Sequence, residues 1–321
     1  MRDDTIYVLK YVGSKRRMAE ALSKLIPNSC TTYIEPYCGS TALALNSRKF
    51  DKKVLNDWNS HIANFWRVAS SPKLAPELLK RLQKTTYSYS LFERAKARRE
   101  TYGANRSDLV EWAVDTYILN WQSFNARGDC WRYVDPSGYD NHIKEPSGLS
   151  RALESLSSEN VEVHNEAAIQ LFEKGGYLED KQAFIYLDPP YLEGLRSNSK
   201  LYQVDMPDVR DHINLLKAIR QAKAKIILSG YWSGRDDGSD LYDSYLLSCG
   251  WHRYLLGQYV KSCEIDDNKS MGAEWIWCNY DLKKEAPRGI EGIKSYCDEK
   301  KVLASGSGWR YNSTTKGGNA L

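Results

Sequence analysis

Phe184-Ile185-Tyr186-Leu187-Asp188-Pro189-Pro190-Tyr191 decides how the rest of the chain is read. Four β-prone residues run into an acid, two prolines and an aromatic ring, a pattern that predicts a buried strand stopped by a rigid turn. Each proline locks its own φ and pushes the residue before it into an extended conformation. The Asp188 carboxylate and the Pro189 carbonyl then stand as fixed acceptors at a strand's carboxyl end, where open α/β sheets bind their ligands. Two acceptors beside an aromatic plate suit an exocyclic amine on a flat heterocycle. Accepting both of its N–H bonds draws the nitrogen toward tetrahedral geometry and frees a lone pair otherwise delocalised into the ring, while Tyr191 stacks on that ring. The same residues also make an ordinary Asp-Pro turn, so a matching cofactor site elsewhere has to decide between the two.

That site is sought upstream. Thr31-Thr32-Tyr33-Ile34 reads as a strand, followed by Glu35-Pro36-Tyr37-Cys38-Gly39-Ser40-Thr41 and a helix over Ala42 to Asn46. One glycine in a strand-to-helix turn lets a ligand approach the backbone. The turn lacks the three glycines of the dinucleotide fingerprint and the Gly-Lys-Ser/Thr of a phosphate loop, which argues against pyrophosphate. Asp57, 22 residues past Glu35 and just after the strand-like Lys53-Val54-Leu55, stands where an acid hydrogen-bonds a ribose diol. A nucleoside without pyrophosphate points to S-adenosyl-L-methionine, although an acid in that position also caps helices. Ahead of this unit, Tyr7 to Val12 reads as a short strand. Ser14 is expected to cap a helix through Leu25, and Lys15 in its first turn would oppose the helix dipole, a placement that makes sense if it meets a carboxylate.

From Ser60 to about Ser158 the pattern turns largely helical. Pro76 opens one helix, and Tyr89 to Arg99 forms a second whose basic end, Arg94, Lys96, Arg98 and Arg99, reads as a solvated face. Leu109 to Trp121 carries the clearest apolar stripe, with Ser107 as its cap. Phe124 to Tyr133, leading to a turn at Pro136-Ser137-Gly138, then reads as a hairpin presenting Arg and aromatic side chains, a form able to enter a DNA groove. After it the α/β pattern resumes. Val161 to Asn165 is a strand, Glu166 to Lys174 a helix stopped by Gly175-Gly176, Val209 to Lys223 an amphipathic helix and Lys225 to Tyr231 a strand. A hairpin over 254–260 and 275–280 closes the core. The segment 192–207 is polar and expected to be mobile.

Composition bounds the reading. The 321 residues are 42% hydrophobic, enough for a large core, and no apolar run is long enough to span a bilayer. No leader is evident at Met1, so cytoplasmic residence is expected. Seven cysteines form no Cys-x-x-Cys pair, which argues for reduced thiols and against a zinc site. The net charge of +4 hints only weakly at a polyanion, whereas ten Trp and 22 Tyr against six Phe favour rings with polar handles, suited to base stacking as well as to cores.

With Lys10-Tyr11-Val12-Gly13-Ser14-Lys15, Glu35-Pro36-Tyr37-Cys38-Gly39-Ser40, Asn56-Asp57-Trp58-Asn59, Phe124-Asn125, Asp188-Pro189-Pro190-Tyr191, Ser229-Gly230-Tyr231 and Glu274 to Tyr280 in this order, the sequence resembles the Dam-like DNA adenine methyltransferases. The resemblance implies a doubly wound, Rossmann-like α/β sheet with an inserted, mainly helical target-recognition subdomain. The catalytic domain would be 1–59 and 159–283, the insert 60–158, and 284–321 a disordered tail. It implies that Tyr11, Lys15, Glu35, Pro36, Gly39, Ser40, Asp57, Asn165 and Asp188 hold S-adenosyl-L-methionine, with Lys15 at the methionine carboxylate. Asp188, Pro189, Pro190 and Tyr191 would act on the amine of an adenine flipped out of double-stranded DNA. Phe124, Asn125, Arg127 and Arg132 would contact that DNA, in a bacterial or phage-infected cell, with no metal and no obligate protein partner. The family departs here at Thr41, where a second glycine is common, and at Phe124 to Gly128, where relatives carry a more compact aromatic-Asn-Gly turn. Two rivals stand beside this reading: transfer to a cytosine or protein glutamine amine, and a catalytically idle DNA-binding relative.

Overall fold

Ala183–Leu187 is a strand buried at every residue, and it lies at the centre of the sheet that organises the chain. The computed structural model describes residues 5–134, 148–191, 208–234, 239–260, 271–287 and 289. In chain order the strands are β1 (Thr32–Glu35), β2 (Lys52–Asn56), β3 (Val161–His164), β4 (Ala183–Leu187), β5 (Lys225–Gly230), β6 (His252–Val260) and β7 (Met271–Cys278). They form one sheet in the order β3-β2-β1-β4-β5-β7-β6. The first five are parallel, and β7 runs antiparallel to both β5 and β6. Strand order reverses between β1 and β4, so a crevice opens there at the carboxyl ends. Because β7 runs backwards, its beginning reaches that same edge: Trp275 pairs with Gly230 at the end of β5.

The near-continuous apolar runs of β4 and β5 follow from burial on both faces. Helices Ala42–Asn46, Ser60–Ala69, Ala75–Gln83, Leu149–Ser158, Ala168–Gly175 and Val209–Ile219 all add buried side chains to the same large core. A smaller apolar cluster of Phe92, Ala95, Ile118 and Leu119, backed by Val114 and Trp131, joins helix Tyr89–Tyr102 to helix Leu109–Gln122.

Several local expectations are corrected. Tyr7 to Val12 is not a strand, because side chains rather than a neighbouring strand satisfy its backbone. Trp121 Nε1 donates to the Val8 carbonyl at 2.8 Å, Asn120 Nδ2 to the Lys10 carbonyl at 2.9 Å, and the Ile6 N–H donates to Asn46 Oδ1 at 2.7 Å. Ser14 caps no helix; its hydroxyl accepts from Ser40 at 2.8 Å. A short 3-10 turn, Arg16–Met18, begins only after Lys15, followed by helix Ala19–Ser23, so Lys15 does not stand in a helical first turn. Asp108, not Ser107, caps Leu109–Gln122, its carboxylate accepting from the Glu111 N–H. Phe124 to Tyr133 is not a two-stranded hairpin. A 3-10 turn, Phe124–Ala126, is closed by a single bridge between Ser123 and Trp131, and Asn125 and Ala126 both take positive φ. The expected mobile segment 192–207, the turn at 136–138 and nearly all of the expected tail lie outside the described residues.

Candidate active site

At the end of β1 the chain turns through Gly39 at φ +44°. A Cβ there would lie 2.8 Å from the Tyr11 ring, so the close approach that needs a glycine is made to Tyr11. The Gly39 N–H donates to one Asp57 carboxylate oxygen at 2.8 Å and the Asn59 N–H to the other at 2.9 Å. Burial pushes the Asp57 carboxyl up to about 6, and those two N–H groups pull against it. Each oxygen keeps a lone pair for a further donor. Trp58, beside it, is one of the most exposed large apolar side chains among the described residues. The exposed Asn165 donates to the Asp57 and Trp58 carbonyls and so fixes this corner from β3.

Glu35 ends β1 almost fully buried. Its carboxylate accepts from the Tyr33 hydroxyl at 3.0 Å and the Thr41 hydroxyl at 2.7 Å. Burial pushes it up to about 8 despite those two donors. Thr41 itself sits in the left-handed region at φ +44°, where a β-branched residue is strained; its hydrogen bond to Glu35 helps hold it. Pro36 is buried and its carbonyl accepts from Asn56.

At the end of β4 the construction is different. Lys15 Nζ contacts both Asp188 oxygens, at 2.8 and 2.7 Å, and donates to the Gly13 carbonyl at 3.1 Å. The carboxylate that Lys15 meets is therefore the chain's own. Glu274, the fourth residue of β7, lies 3.7 Å from the same ammonium. Burial would lower the Lys15 pKa, but the two carboxylates outweigh it and raise it well above the usual value. Tyr191 is buried, with its ring below the Lys15 ammonium at 5.1 Å and against the Tyr231 ring at 4.4 Å. Its hydroxyl reaches Asp188 Oδ1 at 3.1 Å and donates to Glu274 Oε1 in a short hydrogen bond. Burial keeps this phenol protonated. Below the cluster the Tyr186 hydroxyl shares a hydrogen bond with Ser229 at 2.9 Å.

A cleft of about 750 Å³ joins the two ends, lined by Tyr11, Lys15, Glu35, Gly39, Asp57 and Asp188 with Ser40, Trp58 and Pro190 beside them. Pro36, Asn165, Pro189 and Tyr191 are not among the residues that line it. The insert residues are not brought into the cleft. Phe124 and Arg132 are exposed, Asn125 and Arg127 half-buried, and Arg127 lies 3.2 Å from Asp129. Arg98, expected on a solvated basic face, instead pairs with Asp115, which also accepts from the buried Arg106 at 2.6 Å.

A sequence model of the D12 class of N6 adenine-specific DNA methyltransferases matches residues 11–254, most of the chain and all of this cleft's walls. The chain belongs to that family. It is similar to the Type II methyltransferase M.FokI of Planomicrobium okeanokoites, 24% identical over 64% of this chain and 33% of the relative. M.CviBI of Paramecium bursaria Chlorella virus NC1A is 22% identical over 74% of this chain and 87% of its own. M.MjaIII of Methanocaldococcus jannaschii is 22% identical over 85% of this chain and 98% of its own. The chain spans only about a third of the length of M.FokI. Membership in the D12 class agrees with the sheet topology, whose switch point carries the Asp-Pro-Pro-Tyr turn.

Glu274 is the site residue to which sequence reading assigned no role. Its signal was a single acid heading the otherwise apolar run Ala273 to Cys278, a placement that needs a buried partner. Only the antiparallel direction of β7, which the sequence does not announce, delivers it to the edge where Lys15 and Asp188 stand.

Proposed function

We propose that this chain methylates the exocyclic amino group of adenine in duplex DNA, with S-adenosyl-L-methionine as the methyl donor and the target base flipped from the helix. The observation that carries the reading is the pairing of Asp188 with Lys15 at the head of a cleft whose other end is the Gly39–Asp57 corner. The donor set fits the cofactor. Asp57 keeps free lone pairs for a ribose diol, Trp58 and Tyr11 offer flat faces, and the cleft runs on from that corner to Asp188. Tyr11, Glu35, Gly39, Ser40, Asp57 and Asn165 would hold it, and when bound it supplies an electrophilic methyl carbon.

The chain's own residues supply the rest. Asp188 Oδ1 and the Pro189 carbonyl accept the two N–H bonds of the target amine, which turns the nitrogen lone pair toward the cleft. Lys15 fixes the Asp188 carboxylate in position, so little reorganisation is needed as charge develops. Tyr191 and Tyr231 wall the base site. Phe124, Asn125, Arg127 and Arg132 contact the duplex from the insert, where phosphate contacts set affinity and base contacts set sequence choice.

Incubating unmethylated DNA with the protein and isotopically labelled cofactor, then resolving the nucleosides by mass spectrometry, tests this. Label in N6-methyl-2′-deoxyadenosine is the expected product. Label in methylcytosine would move the activity to another planar amine, and DNA binding without any label would make the chain an idle binding module.

A further inference from the structure

The methyl transfer leaves one proton too many on the product nitrogen, and the buried cluster behind Asp188 offers that proton a path. The Tyr191 hydroxyl lies between two carboxylates, 3.1 Å from Asp188 Oδ1 and in a short hydrogen bond to Glu274 Oε1. One hydroxyl proton can serve only one of two acceptors at a time. A proton arriving on Asp188 can therefore be taken up by the Tyr191 oxygen as that oxygen hands its own proton to Glu274. Asp188 itself is committed to Lys15 through both oxygens, whereas Glu274 meets the ammonium only at 3.7 Å. Glu274 is thus the carboxylate of the pair with the weaker hold from the cation.

We propose that Glu274 is the terminal acceptor of the proton released by the target amine, reached from Asp188 through the Tyr191 hydroxyl. The inference rests on the adenine methylation proposed above. In the step, the product N–H bond breaks as an O–H bond forms on Asp188. That O–H then breaks as Tyr191 is protonated and gives its original proton to Glu274. The net change is loss of one proton from nitrogen and conversion of the Glu274 carboxylate to the acid, with Asp188 and Tyr191 restored. Release of the methylated base reopens the same path outward, because Glu274 is almost fully buried and Asp188 is partly exposed to the cleft.

The titration of the cluster agrees. Burial is the largest influence on Glu274 and pushes it up to about 7; the Lys15 charge pulls it down and the Asp188 charge raises it. Tyr191 is held protonated by burial and by both carboxylates, and Lys15 is held charged. Tyr186 also feels Glu274, and its own pKa is driven well up, by burial first. Glu274 is therefore able to change its charge near neutral pH.

The experiment compares wild type, Glu274→Gln and Tyr191→Phe in single-turnover methylation of duplex DNA at saturating cofactor, from pH 5.5 to 9. A carboxyl-carbon NMR titration of the free proteins is recorded in parallel. In wild type the rate should fall on the acid side with an apparent pKa near 7, because a Glu274 already protonated cannot accept, and one buried carboxyl should titrate in the same range. Glu274→Gln should remove that NMR transition, flatten the acid limb and slow the reaction roughly 10- to 100-fold at pH 8, the range of a lost proton-transfer partner. Tyr191→Phe, which keeps the ring and cuts the path, should flatten the limb while leaving the Glu274 titration in place. Calorimetric cofactor affinity close to wild type identifies the variants as folded. A Glu274→Gln enzyme slowed by the same factor at every pH, with the acid limb kept, would make Glu274 a packing partner and overturn the relay. A wild-type rate and profile in that variant would overturn it equally. Absence of adenine methylation by wild type would strike the function on which the relay rests, and is distinguishable because it precedes any comparison of variants.

Discussion

The two strand ends that face each other across the cleft are built in different ways. At β1 and β2 the Asp57 carboxylate is held by backbone N–H groups of Gly39 and Asn59, 18 and 2 residues away in the chain. At β4 the Asp188 carboxylate is held by the side chain of Lys15, 173 residues away, and by a tyrosine whose hydroxyl leads on to Glu274, 83 residues further along. Backbone donors are fixed by the turn that carries them and cannot change charge. Side-chain partners can shift a proton or a charge within hydrogen-bond distance. A corner of the first kind suits a ligand that must be held the same way at every turnover, and a cluster of the second kind suits a place where bonds change.

Glu35 is the exception, since it ends β1 yet is sealed by the side chains of Tyr33 and Thr41, and it tests the comparison with the largest expected effect. Its folded pKa is raised by burial from 4.5 to about 8. The native state keeps a proton that the unfolded chain gives up above about pH 4.5, so the stability Glu35 contributes is full below that pH and is lost as pH rises toward about 8. The loss integrates to on the order of 5 kcal/mol. Glu35→Gln should keep the acceptor oxygen, remove this slope, and become the more stable protein above pH 8 in denaturant titrations. Asp57 and Glu274, raised by burial to about 6 and about 7, act in the same sense, so the variant should keep a slope below about pH 7 and differ from wild type most clearly between about pH 7 and 8.

Substitution at the β4 end comes next in size. Asp188→Ala removes the acceptor and leaves Lys15 without its main partner; loss of one preorganised group at a reacting centre costs roughly 10² to 10³ in rate. Asp188→Asn keeps an oxygen in place and should retain part of the activity in single-turnover assays, while DNA affinity stays close to wild type in both because phosphate contacts dominate it. Equal rates for Asp188→Ala and wild type would reduce the Asp-Pro-Pro-Tyr segment to a structural turn. The smallest effect belongs to the backbone-built corner. Gly39→Ala places a Cβ at positive φ and 2.8 Å from the Tyr11 ring, which should cost about 1 kcal/mol of stability in the same denaturant titrations, and more if the ring cannot move aside.

The same difference explains what could be read from the sequence. Order along the chain gave β1, β2, β4 and their turns, because each piece of the Gly39–Asp57 corner lies within a few tens of residues of the next and carries local turn chemistry. Asp188 was legible for the same reason, its strand and its prolines being contiguous. The partners that give Asp188 its electrostatic setting were not. Lys15 reads as misplaced for a helix, but the carboxylate it meets arrives 173 residues later in the chain, and Glu274 depends on the direction of β7. The short run Tyr7 to Val12 looked like a strand because its residues are β-prone. What settled its conformation was a set of side-chain hydrogen-bond partners, Asn46, Asn120 and Trp121, from helices that packing alone brings near. In the insert, Arg98 belonged to an apparently solvated basic run, and only the fold shows that it turns in toward Asp115.

The division of labour between the two ends is tested most directly by Asp57→Ala, assayed as single-turnover methylation at saturating cofactor. Removing a carboxylate that accepts hydrogen bonds from the ribose should weaken cofactor affinity by roughly 1.5 to 3 kcal/mol, which calorimetry reads as a loss of about ten- to 150-fold. Once the site is filled, the rate should return to within a few-fold of wild type. A saturated rate as low as that of Asp188→Ala would show that the Gly39–Asp57 corner takes part in the chemical step and that the two ends are not separate in function.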